Sequence, residues 1–117
     1  MLPKLYRLKK KSDFDRLLKK GKIENTQFLA IRFIDNNQQN SRFGFLAAKK
    51  NFKKAVLRNK IRRRLRELIG QRLFLIKPGN DIALIARPGI EDKRPIEAKE
   101  LLETILKQAK LFKTQIK

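Results

Sequence analysis

The pattern of apolar and polar residues predicts four strands, one of them short. Residues 28–34 alternate and are rich in aromatic and branched side chains, which is typical of a strand. Residues 42–50 follow the same period, whereas residues 81–87 are apolar on both faces, as expected for a buried central strand. Residues 22–24 are predicted as a short edge strand, while residues 74–76 follow no clear pattern.

Helical spacing predicts three helices around these strands. Residues 12–20 form the first, with Ser12 as its N-cap and Gly21 ending it. A second helix, at residues 53–70, places five apolar side chains within an arc of about 120°. They are Leu57, Ile61, Leu65, Leu68 and Ile69. A last helix follows Pro95, and the order α-β-β-β-α-β-α indicates an α+β sandwich with a mixed four-stranded sheet.

A net charge of +20 on 117 residues indicates that this fold carries a binding surface. Residues 1–66 hold 21 basic and 4 acidic side chains, whereas residues 67–117 hold 10 and 7. Such charge implies a polyanionic partner, which is RNA, DNA or an acidic membrane surface. We therefore expect a single domain over residues 1–117, with the binding surface in the first 66 and residues 1–11 as a mostly extended basic arm.

The predicted helix at residues 53–70 concentrates this charge. Ten of the eighteen residues at 49–66 are basic, and residues 36–66 contain no acid. A solvated surface helix would mix Glu with its Lys and Arg, because like charges at i, i+4 repel. The compensating charge is therefore expected on a partner. Along one edge of the apolar arc runs a row of arginines, the side chain that best makes planar bidentate contacts with phosphate. The row consists of Arg58, Arg62 and Arg66.

The sequence argues against catalysis by the polypeptide alone. It has no His and no Cys, so neither an imidazole base nor a thiol nucleophile is present. A two-metal nuclease needs clustered carboxylates. Only two pairs of acidic residues lie close together in the sequence. Asp13 and Asp15 are interpreted as part of a helix start, and Glu91 and Asp92 as part of a loop.

The absence of cysteine fits a reducing cytosol. No apolar run approaches the roughly 20 residues that a bilayer crossing needs. The basic N-terminus also lacks the apolar segment of a secretory signal. We therefore expect a cytoplasmic protein with no membrane partner.

Two interpretations stay open for the apolar side chains of the first helix and first long strand. They either pack the helix onto the sheet or border a cleft in which unpaired bases lie. Alternation does not say which strand face is which. The residues concerned are Phe14, Leu17, Leu18, Phe28, Leu29, Ile31 and Phe33.

Residues 55–67, AVLRNKIRRRLRE, closely resemble the arginine-asparagine-arginine signature of the protein subunit of bacterial ribonuclease P. Further matching features occur in the family's order over residues 5 to about 110. They are Arg7-Leu8-Lys9, Asp13-Phe14, Gly21, Arg42-Phe43-Gly44-Phe45, Lys49-Lys50, Asp81 and Ala86-Arg87. The resemblance implies a left-handed β-α-β crossover, as in the ribosomal-protein-S5-domain-2-like fold.

The resemblance also implies a function, that of a basic protein cofactor of a catalytic RNA. The ribonucleoprotein is an endoribonuclease that removes the 5′ leader of precursor tRNA, with Mg²⁺ bound mainly by the RNA. One copy of the protein is expected in the complex. The residues expected to contact the RNA subunit are Lys49, Lys50, Arg58, Asn59, Lys60, Arg62, Arg63 and Arg66. Those expected to line a leader-binding cleft between the first helix and the sheet are Phe14, Leu17, Leu18, Leu29 and Ile31.

Lys60 stands where the family usually has a second arginine, and Leu18 stands where an aromatic residue is common. The alternative function is that of a ribosomal or other structural RNA-binding protein with no processing role. A third class, a nuclease that needs no RNA, would cleave precursor tRNA as the purified protein.

Overall fold

The computed structural model describes residues 2–112, and the predicted α-β-β-β-α-β-α order is confirmed within them. The helices are α1 (Lys11–Lys20), α2 (Ala55–Gly70) and α3 (Pro95–Gln108). The strands are β1 (Lys22–Asn25), β2 (Leu29–Asp35), β3 (Arg42–Leu46) and β4 (Asn80–Ala86). Short 3-10 turns lie at Lys4–Tyr6, Leu73–Leu75 and Ile90–Asp92.

The four strands form one mixed sheet in the order β1-β2-β4-β3. β2 runs antiparallel to both β1 and β4, whereas β3 runs parallel to β4. The prediction of a central strand near residues 81–87 is confirmed, because β4 pairs on both sides and is almost entirely buried. The parallel pair β3 and β4 is joined through α2, as a β-α-β crossover requires. Its left-handed sense stays a prediction.

The main core lies between one face of the sheet and the helices α2 and α3. From α2 it takes Ile61, Leu65 and Ile69, with Leu57 and Leu68 partly buried beside them, so the predicted apolar arc is confirmed. The sheet contributes alternate residues of its strands, and α3 contributes Leu102, Ile105 and Leu106. Each large apolar side chain buried in this way contributes about 1.5–3 kcal/mol.

Helix α1 packs on the other face of the sheet, where small residues let it approach closely. The ring of Phe14 lies against Gly44, and a Cβ added at Gly44 would come within 2.4 Å of two ring carbons. Leu17 is fully buried against Ala83. The small residues of β3 and β4 therefore accommodate a helix, which anchors α1 through two of its apolar side chains.

The start of α1 differs from the sequence prediction, and its end is reached for a different reason. The helix begins at Lys11 after Lys10, so Ser12 lies inside it and makes no capping hydrogen bond. It ends at Gly21 as predicted, but Gly21 has φ −68°, outside the left-handed region. Glycine is required there by space instead, since a Cβ would lie 2.4 Å from the carbonyl oxygen of Leu17.

The N-terminal segment, expected as a mostly extended arm, is anchored to the body of the protein. Leu2 is fully buried and Leu8 nearly so, on either side of the 3-10 turn. Arg7 pairs with Phe43 in a parallel bridge, and the Leu8 amide donates to the Phe43 carbonyl at 2.8 Å. The segment thus lies beside β3 and covers part of its outer edge.

A buried polar network joins α1, β3, β4 and the loop after β2. Asp81 is fully buried and accepts two hydrogen bonds of 2.8 Å from the guanidinium of Arg42. The side-chain amide of Asn36 donates to the same carboxylate at 3.0 Å, and Asp13 lies 3.3 Å from Arg42. The hydrogen bond to Asp81 raises the pKa of Arg42, against the opposing effect of burial. Asp13 therefore does more than begin a helix, because it ties α1 to this ion pair.

Replacing Asp81 with Ala leaves the half-buried Arg42 without its bidentate partner. Removing one partner of a buried ion pair costs about 3–5 kcal/mol. We expect Asp81→Ala to lower the free energy of unfolding, measured in urea, by about 3 kcal/mol or more. The control is Asp92→Ala, which removes an exposed carboxylate and should change stability by less than about 0.5 kcal/mol. Equal losses in the two variants would contradict the role given to Asp81.

Candidate nucleic-acid interface

A tight turn between β3 and α2 presents the two predicted lysines. The strand expected to reach residue 50 ends at Leu46, because the carbonyl of Ala48 accepts hydrogen bonds from the amides of residues 51 and 52 at 3.1 and 3.0 Å. Phe52 is 1% exposed and anchors the turn in the core. Lys49 and Lys50 are consequently exposed at the tip of the turn.

The three arginines of the predicted row are each held by a neighbour. Arg58 donates to the carbonyl oxygens of Phe52 and Lys53 at 2.8 and 2.9 Å. Arg62 donates to the side-chain oxygen of Asn59, and Arg66 lies over the ring of Phe45 with its guanidinium carbon 5.7 Å from the ring centre. The row therefore lies on the β3 side of α2. The two hydrogen bonds of Arg58 also give it a structural role, in holding the segment before α2, that the sequence did not reveal.

The other basic residues of α2 lie toward its opposite edge. Lys60, Arg63 and Arg64 line a groove of about 770 Å³ between α2 and the segment that leads into α3. The far wall carries both signs of charge, from Glu91, Asp92, Lys93, Arg94 and Lys99. The predicted RNA-contacting residues within α2 thus occupy two edges of that helix. Sequence reasoning did not single out Arg64, which stands at i+4 from Lys60.

Basic residues 49–66 form no ion pair with the acids of the described chain. Among residues 2–112, the ion pairs involve Arg42, Arg72 and Arg94, and none involves this segment. Helix α2 also begins without an acid in its first turn and without a side-chain cap. The positive end of the helix dipole therefore adds to the lysine charges around it. Phosphate groups are the binding partner that this potential favours.

The structure does not bring together all five residues of the predicted cleft. Phe14 and Leu17 lie on the α1 side of the sheet, where Leu18 is 41% exposed. Leu29 and Ile31 are fully buried in the main core on the opposite face, with α2 and α3. Placing these two strand residues in a cleft beside α1 is therefore wrong. Alternation identified two faces of β2, but it did not identify which face meets α1.

A row of other side chains crosses the sheet on the α1 side. In the strand register Ile85 of β4 lies between Ala30 of β2 and Leu46 of β3. Ile85 and Leu46 are half-buried. Arg32 lies on the same face and donates to the Leu18 carbonyl at 2.8 Å. Helix α1 and these strands together form a surface with apolar residues in its floor and an arginine at its rim.

The described residues contain no group of three or more His, Cys, Asp or Glu side chains that could hold a metal ion. Within the same part of the chain, no helix combines the length and the apolar composition needed to cross a bilayer.

Residues 2–110 match the family model described as Ribonuclease P. The ribonuclease P protein component of Staphylococcus aureus is 38% identical over 120 residues, covering 100% of this chain and 99% of the relative. That of Syntrophomonas wolfei is 37% identical, covering 96% and 93%. A solved S. aureus ribonuclease P protein superposes with a TM-score of 0.83 at 36% identity, covering 92% and 98% of the two chains. The Thermotoga maritima protein gives 0.78 at 28% identity, covering 86% and 96%.

The two roles of Arg58 can be separated by measuring stability. Arg58→Ala loses two charge-assisted hydrogen bonds to carbonyl oxygens, so we expect the free energy of unfolding to fall by about 1–3 kcal/mol. Arg63→Ala removes an exposed arginine of the same helix and should change it by less than about 0.5 kcal/mol. Denaturant titration of both variants checks this. Identical stabilities would show that the Arg58 contacts contribute nothing to the fold.

Proposed function

The chain belongs to the ribonuclease P protein family, and from this premise we propose how its surfaces serve the removal of 5′ leaders from precursor tRNA. Members of this family are subunits of a ribonucleoprotein endoribonuclease, so the chain associates with an RNA subunit and takes part in tRNA 5′ processing. A ribosomal role is not favoured, because the relatives are ribonuclease P protein components over essentially their whole length.

The observation that carries the proposal is the basic segment 49–66, which forms no ion pair within residues 2–112. In our proposal its two lysines and the signature residues of α2 contact phosphates of the RNA subunit. The contacts of two arginines support this assignment. Arg62 is oriented by Asn59 and Arg66 by Phe45, so both side chains lose less conformational freedom on binding RNA than free side chains would. The protein would thereby let the phosphates of two RNA molecules approach each other, and it would raise affinity without supplying a reacting group.

We further propose that the 5′ leader lies along the α1 side of the sheet. The support is the mixture of side chains there, with half-buried Leu46 and Ile85 in the floor, exposed Leu18 beside them and Arg32 at the rim. Apolar side chains can contact unpaired bases, while arginine can contact the backbone. In this assignment the half-buried Leu46 and Ile85 replace Leu29 and Ile31, which are buried in the core on the other face of the sheet.

Catalysis is proposed to reside in the RNA partner. Among the described residues there is no cluster of carboxylates suited to hold Mg²⁺, so the side chains of this chain do not fit as its ligands. Mg²⁺ would be bound mainly by the RNA, and the protein would increase affinity for it by lowering the repulsion between phosphates. We propose that one copy of the chain acts in each complex, in the cytoplasm.

Binding to the RNA subunit should depend steeply on salt. With about six phosphates contacted, affinity should fall roughly 10³-fold between 50 and 200 mM salt. Arg62→Gln/Arg66→Gln should weaken binding and reduce the slope of log affinity against log salt by about two units. The matched control Lys107→Gln/Lys110→Gln removes the same formal charge at exposed positions at the end of α3 and just after it and should keep the slope. A flat salt response of the unaltered protein would refute the phosphate contacts.

Reconstitution tests the division of labour between protein and RNA. At low Mg²⁺, precursor tRNA should be cleaved quickly when both the protein and the catalytic RNA are present. Cleavage should slow when the protein is omitted and stop when the RNA is omitted. The protein should also increase affinity for precursor tRNA more than for mature tRNA, which lacks the leader. Cleavage by the protein alone would contradict the proposal, and equal gains for the two tRNAs would contradict the leader contact.

A further inference from the structure

The 3-10 turn just after α2 exposes an unusual amount of apolar surface. Phe74 is 88% exposed, and Leu75 in the same turn is 47% exposed. Leu5, in the N-terminal 3-10 turn, is 60% exposed. Phe74 and the N-terminal turn also border a groove of about 360 Å³ whose lining includes Pro3, Tyr6, Phe43, Leu73, Ile76 and Pro78. A largely exposed aromatic ring beside an apolar groove is typical of a binding surface.

The backbone around Phe74 is held in place on both sides. Before it, Arg72 is buried, contacts Glu103 at 3.1 Å and donates to the Leu68 carbonyl at 2.8 Å. After it, Ile76 is 3% exposed, and the next amide, that of Lys77, donates to the carbonyl of residue 111 at 2.7 Å. The ring is therefore presented on a short, fixed turn, so little backbone ordering is needed when a partner binds.

The charges around the groove identify the class of partner. Among the described residues, none of the side chains that line the groove is acidic. Lys4 and Lys77 adjoin the groove in sequence, and neither forms an ion pair within the described residues. A second copy of the chain would bring the same positive charges together. A nucleic acid complements both features, because its phosphates pair with the positive charges and its flat bases stack on the aromatic ring. Unpaired nucleobases commonly stack on exposed aromatic side chains.

We propose that Phe74 and the adjoining groove bind an unpaired nucleobase of the catalytic RNA subunit, outside the signature helix. The proposal rests on the function given above. The RNA subunit is favoured over the leader because the turn begins three residues after the end of α2. In addition, Phe43 in the groove belongs to the sheet face that carries α2, whereas the leader is assigned to the face that carries α1.

The absence of tryptophan from the chain allows a direct test. In Phe74→Trp the new indole is the only one, and stacking of a base on it should quench its fluorescence. Catalytic RNA should quench Phe74→Trp strongly. The matched control Thr104→Trp, at an exposed residue of α3 that lines neither groove, should change little. Inorganic polyphosphate, which has charge but no bases, should leave the indole of Phe74→Trp unquenched.

Each alternative partner gives a different result. Quenching by precursor tRNA but not by catalytic RNA would overturn the assignment to the RNA subunit. Quenching by polyphosphate as well would show that the site binds anions without recognising bases. A fluorescence change that follows protein concentration without RNA, together with a dimer in sedimentation, would show that a second copy occupies the groove.

Affinity gives an independent measurement of the same contact. Phe74→Ala should weaken binding to catalytic RNA by about fivefold or more, since stacking of one base contributes roughly 1–3 kcal/mol. Phe74→Tyr should retain most of the affinity, and Thr104→Ala should match the unaltered protein. If Phe74→Ala binds normally while Arg62→Gln/Arg66→Gln does not, this inference fails and the proposed function stands. If the unaltered protein does not bind the RNA, the proposed function itself fails.

Discussion

The ion pair between Arg42 and Asp81 is the constraint on which the arrangement of the other elements depends. It joins the first residue of β3 to β4 across the parallel pair, 39 positions apart in sequence. Asp13 extends it to α1, and Asn36 extends it to the loop after β2. Because Asp81 is fully buried, its charge is tolerated only while these partners are present. This polar cluster thus holds α1 on one face of the sheet. It also fixes the first residue of β3, the strand from which the crossover through α2 begins.

This arrangement separates stability from binding. The apolar face of α2 and the buried side chains of α3 hold the fold, and the acids that form structural contacts lie outside segment 49–66. The basic residues of that segment are therefore free of internal ion pairs in the described chain, and α2 offers them on two edges. Arg58 is the exception, because it also bonds the carbonyl oxygens at the start of its own helix. The fold tolerates a high density of like charge because the apolar side of α2 is well anchored.

Local sequence patterns predicted the order of elements and the role of α2, but several details depended on distant parts of the chain. Ser12 was expected to cap α1, yet that helix starts one residue earlier without a side-chain cap. The third strand was predicted four residues too long, since the turn bonded to Ala48 ends it. No pattern placed residues 74–76, because the turn there is held by Glu103 and by the segment after α3.

The sequence by itself determined the charge distribution, the amphipathic α2 and the lack of His and Cys, because these follow from composition and from spacing along one element. It also carried the family resemblance through residues 55–67. Only the tertiary structure decided that Leu29 and Ile31 belong to the main core, and that Arg32 on the other face of β2 contacts α1. The physical reason is that a period of two defines two strand faces equally well. Which face is buried depends on the helices packed against it, and those lie far away in sequence.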